Sequence, residues 1–213
     1  MTFSSSIEDM HDTIPLMSTT DCLFAIASSQ HGYFTSRQAE ECGVSASLLN
    51  HHTRKGRYIR TVRGIYRIKN YPSSPREEVV VAWLAVGKNK AVVSHESALD
   101  LHELSDVIPN AVHLTVPRSL RTVLKLPGVR VHTTVDQLSN ADTTIRDGIR
   151  VTSVPRTIVD AASTGVGPEQ IETAVRQALQ RGQTTRRRIL EAARHQSQRV
   201  RQLIELALKE SLQ

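Results

Sequence analysis

The pattern of apolar and polar positions becomes helical at Asp21. Asp21 can cap a helix whose apolar face is Leu23, Phe24, Ile26 and Ala27, and His31-Gly32 supplies its stop. Residues 1–20 show no sustained period and read as a mobile leader. Thr35 or Ser36 can cap a short helix from Arg37 to Cys42, and Gly43-Val44 makes a tight turn. Ser45 caps a third helix that runs from Ala46 to about Lys55 and closes at Gly56. The period then drops to two over 58–62 and again over 65–68, on either side of Arg63-Gly64, which predicts a hairpin. Three helices with a glycine in the second join, followed by a hairpin, predict a winged helix-turn-helix over residues 21–70.

Beyond it, residues 71–76 lie in a Pro- and Ser-rich stretch that reads as a linker, and 77–213 as a second domain. The run Glu77 to Val86, almost wholly apolar around Trp83, predicts a buried helix, and Ser94 to Glu103 predicts another. Alternating runs at 111–116, 129–132 and around 149–151 predict strands, and helices follow at about 155–162, 168–181, 184–195 and 198–211. The fold class expected is α+β: an N-terminal winged helix-turn-helix, then a mixed α/β domain with a helical C-terminal tail.

At 100° per residue, the third helix of the winged unit has two chemically different sides. Ser45, Leu48, Leu49 and His52 cluster on one, which is expected to face the core. Ser47, Asn50 and Arg54 lie opposite, flanked by Ala46 and His51. Ser47, Asn50, His51 and Arg54 are therefore the candidate base contacts: an amide suits adenine, a guanidinium suits guanine, and small neighbours leave room in a major groove. Lys55, Arg57, Arg60, Arg63 and Arg67 are candidates for phosphate contact, or for minor-groove insertion at the wing tip, and would position the helix rather than specify sequence.

Charge sharpens this picture. The 213 residues carry 27 Lys and Arg against 21 Asp and Glu, a net +6. The excess is divided between the ends: residues 20–76 hold nine bases and three acids, 77–170 nine and eleven, and 171–213 nine and four. Residues 51–70 hold seven bases and no acid. Such a stripe is either a solvated face or an anion-binding one. The same two readings apply to the C-terminal cluster that includes Arg186, Arg187 and Arg188; it is a candidate second anionic contact, for DNA backbone or for an acidic partner.

Other classes are disfavoured. No run approaches the roughly 18 apolar residues of a membrane span. The first twenty residues hold Glu8, Asp9 and Asp12 and no base, unlike a signal peptide, so a cytoplasmic location is expected. Cys22 and Cys42, twenty apart, suggest neither a disulfide framework nor a zinc site and read as two buried thiols. His95, Glu96 and His102 lack the His-Glu-x-x-His spacing, so His95 and His102 read as capping or packing residues, and no metal or cofactor is expected. Walker, Gly-x-Gly-x-x-Gly, Gly-x-Ser-x-Gly and Asp-x-Asp motifs are all missing, so no catalytic residues are assigned. Arg156 and Asp160, four apart, read as a structural ion pair.

The run GVSASLLNHHTRKGRYIRTVRGIYRI, together with Ser94-His95-Glu96-Ser97-Ala98-Leu99 and Thr152-Ser153-Val154-Pro155-Arg156-Thr157-Ile158-Val159-Asp160, resembles AbiEi-type antitoxins over about residues 23–165. His52 stands where that family usually has an apolar residue, and two domains are expected without the nuclease-like module of some relatives. The resemblance implies an antitoxin that represses its own operon by binding operator DNA at inverted repeats; since one winged helix reads one half-site, a homodimer or cooperative assembly is expected on geometry. It also implies a nucleotidyltransferase-like toxin as the functional partner. The alternative is a ligand-responsive winged-helix regulator with no toxin partner.

Overall fold

The computed structural model describes residues 18–120, 126–135 and 138–211. Most of the expected leader lies outside them, but its last residues belong to the first helix. Ser18, rather than Asp21, caps α1 (Thr19–Ser28), accepting a hydrogen bond from the Asp21 amide, and Asp21 sits in the first turn where its charge suits the helix dipole. β1 (Tyr33–Thr35) follows, a strand that the periodicity does not predict. Thr35 then caps α2 (Ser36–Glu41) through a full capping box with Gln38, and Ser45 caps α3 (Ala46–Arg54). β2 (Tyr58–Val62) and β3 (Ile65–Ile68) form the wing, and β1 completes an antiparallel sheet in the order β1-β3-β2. Leu23, Ala27, Phe34, Ala39, Val44, Leu49 and Tyr66 make the core of this unit.

Cys22 and Cys42 correct the expectation of free thiols: they form a disulfide, with Cα atoms 5.7 Å apart. Spacing along the chain could not show this, because the proximity arises from packing α1 against the C-terminal end of α2.

The second half opens with α4 (Glu77–Val86), then β4 (Val92–Val93), α5 (His95–Leu101), β5 (Val112–Pro117), β6 (Val129–Thr134), β7 (Thr143–Arg146) and β8 (Ile149–Thr152). The five strands lie in the order β6-β5-β4-β8-β7, with β5/β6 and β4/β8 parallel and the other pairs antiparallel. α6 (Val154–Ser163), α7 (Pro168–Gln180), α8 (Arg186–Ala193) and α9 (Gln198–Glu210) pack together around Ile158, Ile171, Val175, Ile189 and Ile204. These four are amphipathic, which is why spacing alone is enough to place them. No helix among the described residues is long and apolar enough to cross a membrane.

The winged unit is docked on the second half rather than strung from it. Tyr33 and Ile65 share one apolar cluster with Val80, Trp83, Leu114 and Val151. Tyr71 lies against Gly32, where any Cβ would collide with its ring, and donates from Oη to the Ser28 carbonyl at 3.2 Å. On the far side, the β7–β8 turn meets the end of α1: His31 Nε2 is 2.9 Å from the Asp147 carbonyl, and a Cβ at Gly148 would collide with the Ser29 carbonyl oxygen. Gly148, at φ +76°, is thus required both for its left-handed backbone and for this close approach.

Candidate nucleic-acid interface

The α2–α3 turn is built by Gly43 at φ +82°, a conformation costly for other residues, and by the Val44 side chain, which is buried beneath it. Leu49 anchors α3 in the core. Leu48, expected beside it, is instead 40% exposed, so the inward face of α3 is narrower than its periodicity suggests. His52 is half-buried, with its ring edge-on to Tyr58 at 5.6 Å. Partial burial pushes its pKa below the ordinary value, and the neighbouring charges of Arg57 and His51 push it the same way.

Ser47, Asn50, His51 and Arg54 are all exposed on α3, and Lys55 and Arg57 continue the surface beyond its end. Arg60 and Arg63 are exposed on the wing, where Gly64 at φ +80° makes the turn and its carbonyl accepts from the Ser36 amide at 2.9 Å. That bond ties the wing tip to the start of α2. Among the described residues no ion pair engages Arg54, Lys55, Arg57, Arg60 or Arg63, so their charge is available to an external anion.

Arg67 departs from this group. Its guanidinium points into the molecule, 3.1 Å from Glu77 Oε1 and 2.7 Å from the Tyr71 carbonyl, and lies over the Tyr33 ring at 5.7 Å. Tyr33 Oη donates to the other Glu77 oxygen at 2.9 Å, and burial followed by this contact pushes the phenol up to about 12. Arg67 is a fastener between wing and α4, and its sequence pattern does not distinguish it from the exposed Arg60 and Arg63 of the same wing.

The C-terminal cluster divides similarly. Arg186 donates to the Leu208 carbonyl at 2.6 Å and so caps the end of α9, whereas Arg187 and Arg188 are exposed. His102, Arg156 and Asp160 are held in the fold. His102 is buried with Nε2 2.8 Å from the Thr152 carbonyl. Arg156 donates to Asp160 at 2.7 Å, the structural pair expected from their spacing.

The exposed side of α3 carries no acidic residue and lies beside a basic wing. Residues 23–69 match the family of AbiEi antitoxin transcriptional regulators. The AbiEi match covers the segment from the middle of α1 to the end of the wing. Among solved structures the chain is similar to the RV2827C protein from Mycobacterium tuberculosis, with a TM-score of 0.54 and 15% identity, over 89% of this chain and 75% of that one. At that identity the likeness is one of fold, and it extends well beyond the AbiEi segment. No curated protein matches the chain.

Proposed function

We propose that this AbiEi-type regulator is the antitoxin of a toxin-antitoxin operon and represses that operon by binding operator DNA through α3 and the wing. The observation that carries this reading is the surface formed by Ser47, Asn50, His51 and Arg54, exposed and free of acidic neighbours on the second helix of a helix-turn-helix. Arg57, Arg60 and Arg63 supply phosphate contacts that orient the helix. One winged helix reads one half-site, so operator recognition calls for a homodimer or a cooperative assembly. A nucleotidyltransferase-like toxin is the functional partner, with Arg187 and Arg188 as a second anion-binding surface. On this reading the protein acts by binding and carries no catalytic residues.

Footprinting on the chain's own upstream DNA tests the proposal. Asn50→Ala and Arg54→Ala each weaken operator binding by about 1–3 kcal/mol and leave non-specific binding unchanged. Equal weakening on both DNAs would reduce these residues to phosphate contacts. Expression from an unrelated promoter with the adjacent toxin gene separates repression from protection, because Arg54→Ala then still protects.

One observation favours a second reading, that of a ligand-responsive regulator. An apolar groove of about 590 Å³ lies between the wing and the second half, lined by Tyr33, Val62, Val81, Ala85, Leu126 and Val129. A small molecule that changes operator affinity in the absence of any toxin gene would favour it.

A further inference from the structure

Three histidines far apart in sequence meet beside the second sheet. His113 on β5 is fully buried; His132 on the edge strand β6 is partly buried. In the parallel register His132 pairs with Thr115, which makes it the diagonal neighbour of His113 on the same face. His95, at the first position of α5, lies flat against His132 with ring centroids 3.6 Å apart. One ring nitrogen from each of the three lies within 4.8 Å of the other two.

We propose that His95, His113 and His132 form a binding site for a divalent transition-metal ion of the zinc type, which ties α5 to β5 and to the edge strand β6.

Three observations support the site, and one sets a requirement: His95 and His132 are stacked, and parallel rings cannot both aim an in-plane lone pair at one ion, so metal binding turns one of these two rings about its Cβ–Cγ bond. First, His113 Nδ1 and His132 Nε2 are 3.3 Å apart. That is long for a hydrogen bond but matches the edge of about 3.3 Å between two nitrogens each about 2.0–2.1 Å from a tetrahedral zinc. Second, His95 is held at φ +53°, a backbone strain uncommon outside glycine and concentrated at functional sites. Third, His95 Nδ1 is 2.9 Å from the buried Ser94 hydroxyl, which itself accepts from Thr115 Oγ1 at 2.8 Å. The tautomer that donates from Nδ1 to Ser94 presents the Nε2 lone pair for a ligand bond, the outer-shell arrangement that metal-binding histidines use.

The electrostatics are compatible with metal and constrain the fourth ligand. Burial is the largest cause holding all three rings neutral, His95 pushed down to about 2 and His113 and His132 to about 4. Neutral imidazoles keep the lone pairs that a transition metal requires. Arg130 near His113 and His132, and Arg156 near His95, add positive charge. They favour an anion such as hydroxide or chloride in the fourth position. Neutral nitrogen donors with no carboxylate select against magnesium and calcium.

The test uses the full-length, tag-free chain stripped with a chelator. Zinc binds in a ratio of one per chain, raises the thermal midpoint, and is not replaced by magnesium; cobalt gives the intense visible bands of a tetrahedral site. His132→Ala, on the partly exposed edge strand, and His95→Gln each weaken zinc binding beyond the roughly 10–100-fold typical of losing an outer-shell partner. Ser94→Ala weakens it by about tenfold. The exposed His195→Ala leaves it unchanged. A wild-type chain without tetrahedral cobalt bands overturns the proposal with no variant needed. So does zinc affinity that is equal in wild type, His132→Ala and His95→Gln.

Discussion

Arg67 and Glu77 form an ion pair at 3.1 Å across the boundary between the winged unit and the second half. Tyr33 donates to the same carboxylate, so one acid fastens a strand of the wing sheet, the wing itself and α4. Arg67→Ala removes the charge-assisted hydrogen bonds of a largely buried guanidinium to the half-buried Glu77 and to the Tyr71 carbonyl, and lowers unfolding free energy by about 2 kcal/mol, read from urea midpoints. It leaves the salt dependence of DNA binding as in wild type.

Arg60 and Arg63 behave in the opposite way. Both are exposed and engaged in no ion pair among the described residues, so Arg60→Ala and Arg63→Ala barely change stability. Each reduces the slope of log affinity against log salt by about 0.9 for every phosphate that the side chain had neutralised. A slope unchanged in the double variant would place the DNA elsewhere, with Arg187 and Arg188 the next positions to substitute.

The Cys22–Cys42 disulfide joins positions 20 residues apart within the winged unit. By loop-closure entropy its reduction lowers stability by about 3 kcal/mol, and Cys42→Ser does the same with or without reductant. Denaturation of both proteins under oxidising and reducing conditions measures the difference. A drop in stability on reduction in the wild type alone identifies the cross-link as the cause.

Burial pushes Asp160 up to about 6, although Arg156 pulls it down; Asp142 adds to the rise. The folded state therefore holds a proton that the unfolded chain, near 3.8, has released. This carboxyl's contribution to stability is most favourable at the acid side of that window. It declines as pH rises from about 4 to 6, by up to about 1.4 kcal/mol per unit, and is level above. Asp160→Asn removes that decline, so the wild-type minus variant stability, measured at pH 4.5 and 7, must change with this sign.

Much of this fold is legible in the sequence because its elements are amphipathic and capped. α4 and the four C-terminal helices stand within a residue or two of where apolar spacing puts them, as does the β2–β3 hairpin. β1 and β4 are not legible, because three and two residues are too few to show a period, and β7 is not because Thr143–Arg146 is largely polar. The exposed side chains Ser47, Asn50, His51 and Arg54 are readable as the polar side of α3. The inward turn of Arg67 is not, since it depends on Glu77 arriving from another element. The histidine cluster is hidden for the same reason. His95 stands out in the sequence for its neighbour Glu96 and for His102, whereas its companions are set by strand register, which a single sequence does not display.

The contact of Gly148 and Asp147 with the end of α1 has a mechanical meaning when taken with the Arg67–Glu77 pair. A body held at two separated points cannot swivel. The exposed face of α3 is therefore aimed by the sheet behind it, and in any symmetric assembly the distance between two such faces is a dimension of the second half. On the proposed reading, operator spacing is set away from the DNA, and an insertion at the 147–148 turn alters which spacings are bound while the exposed side chains of α3 stay the same.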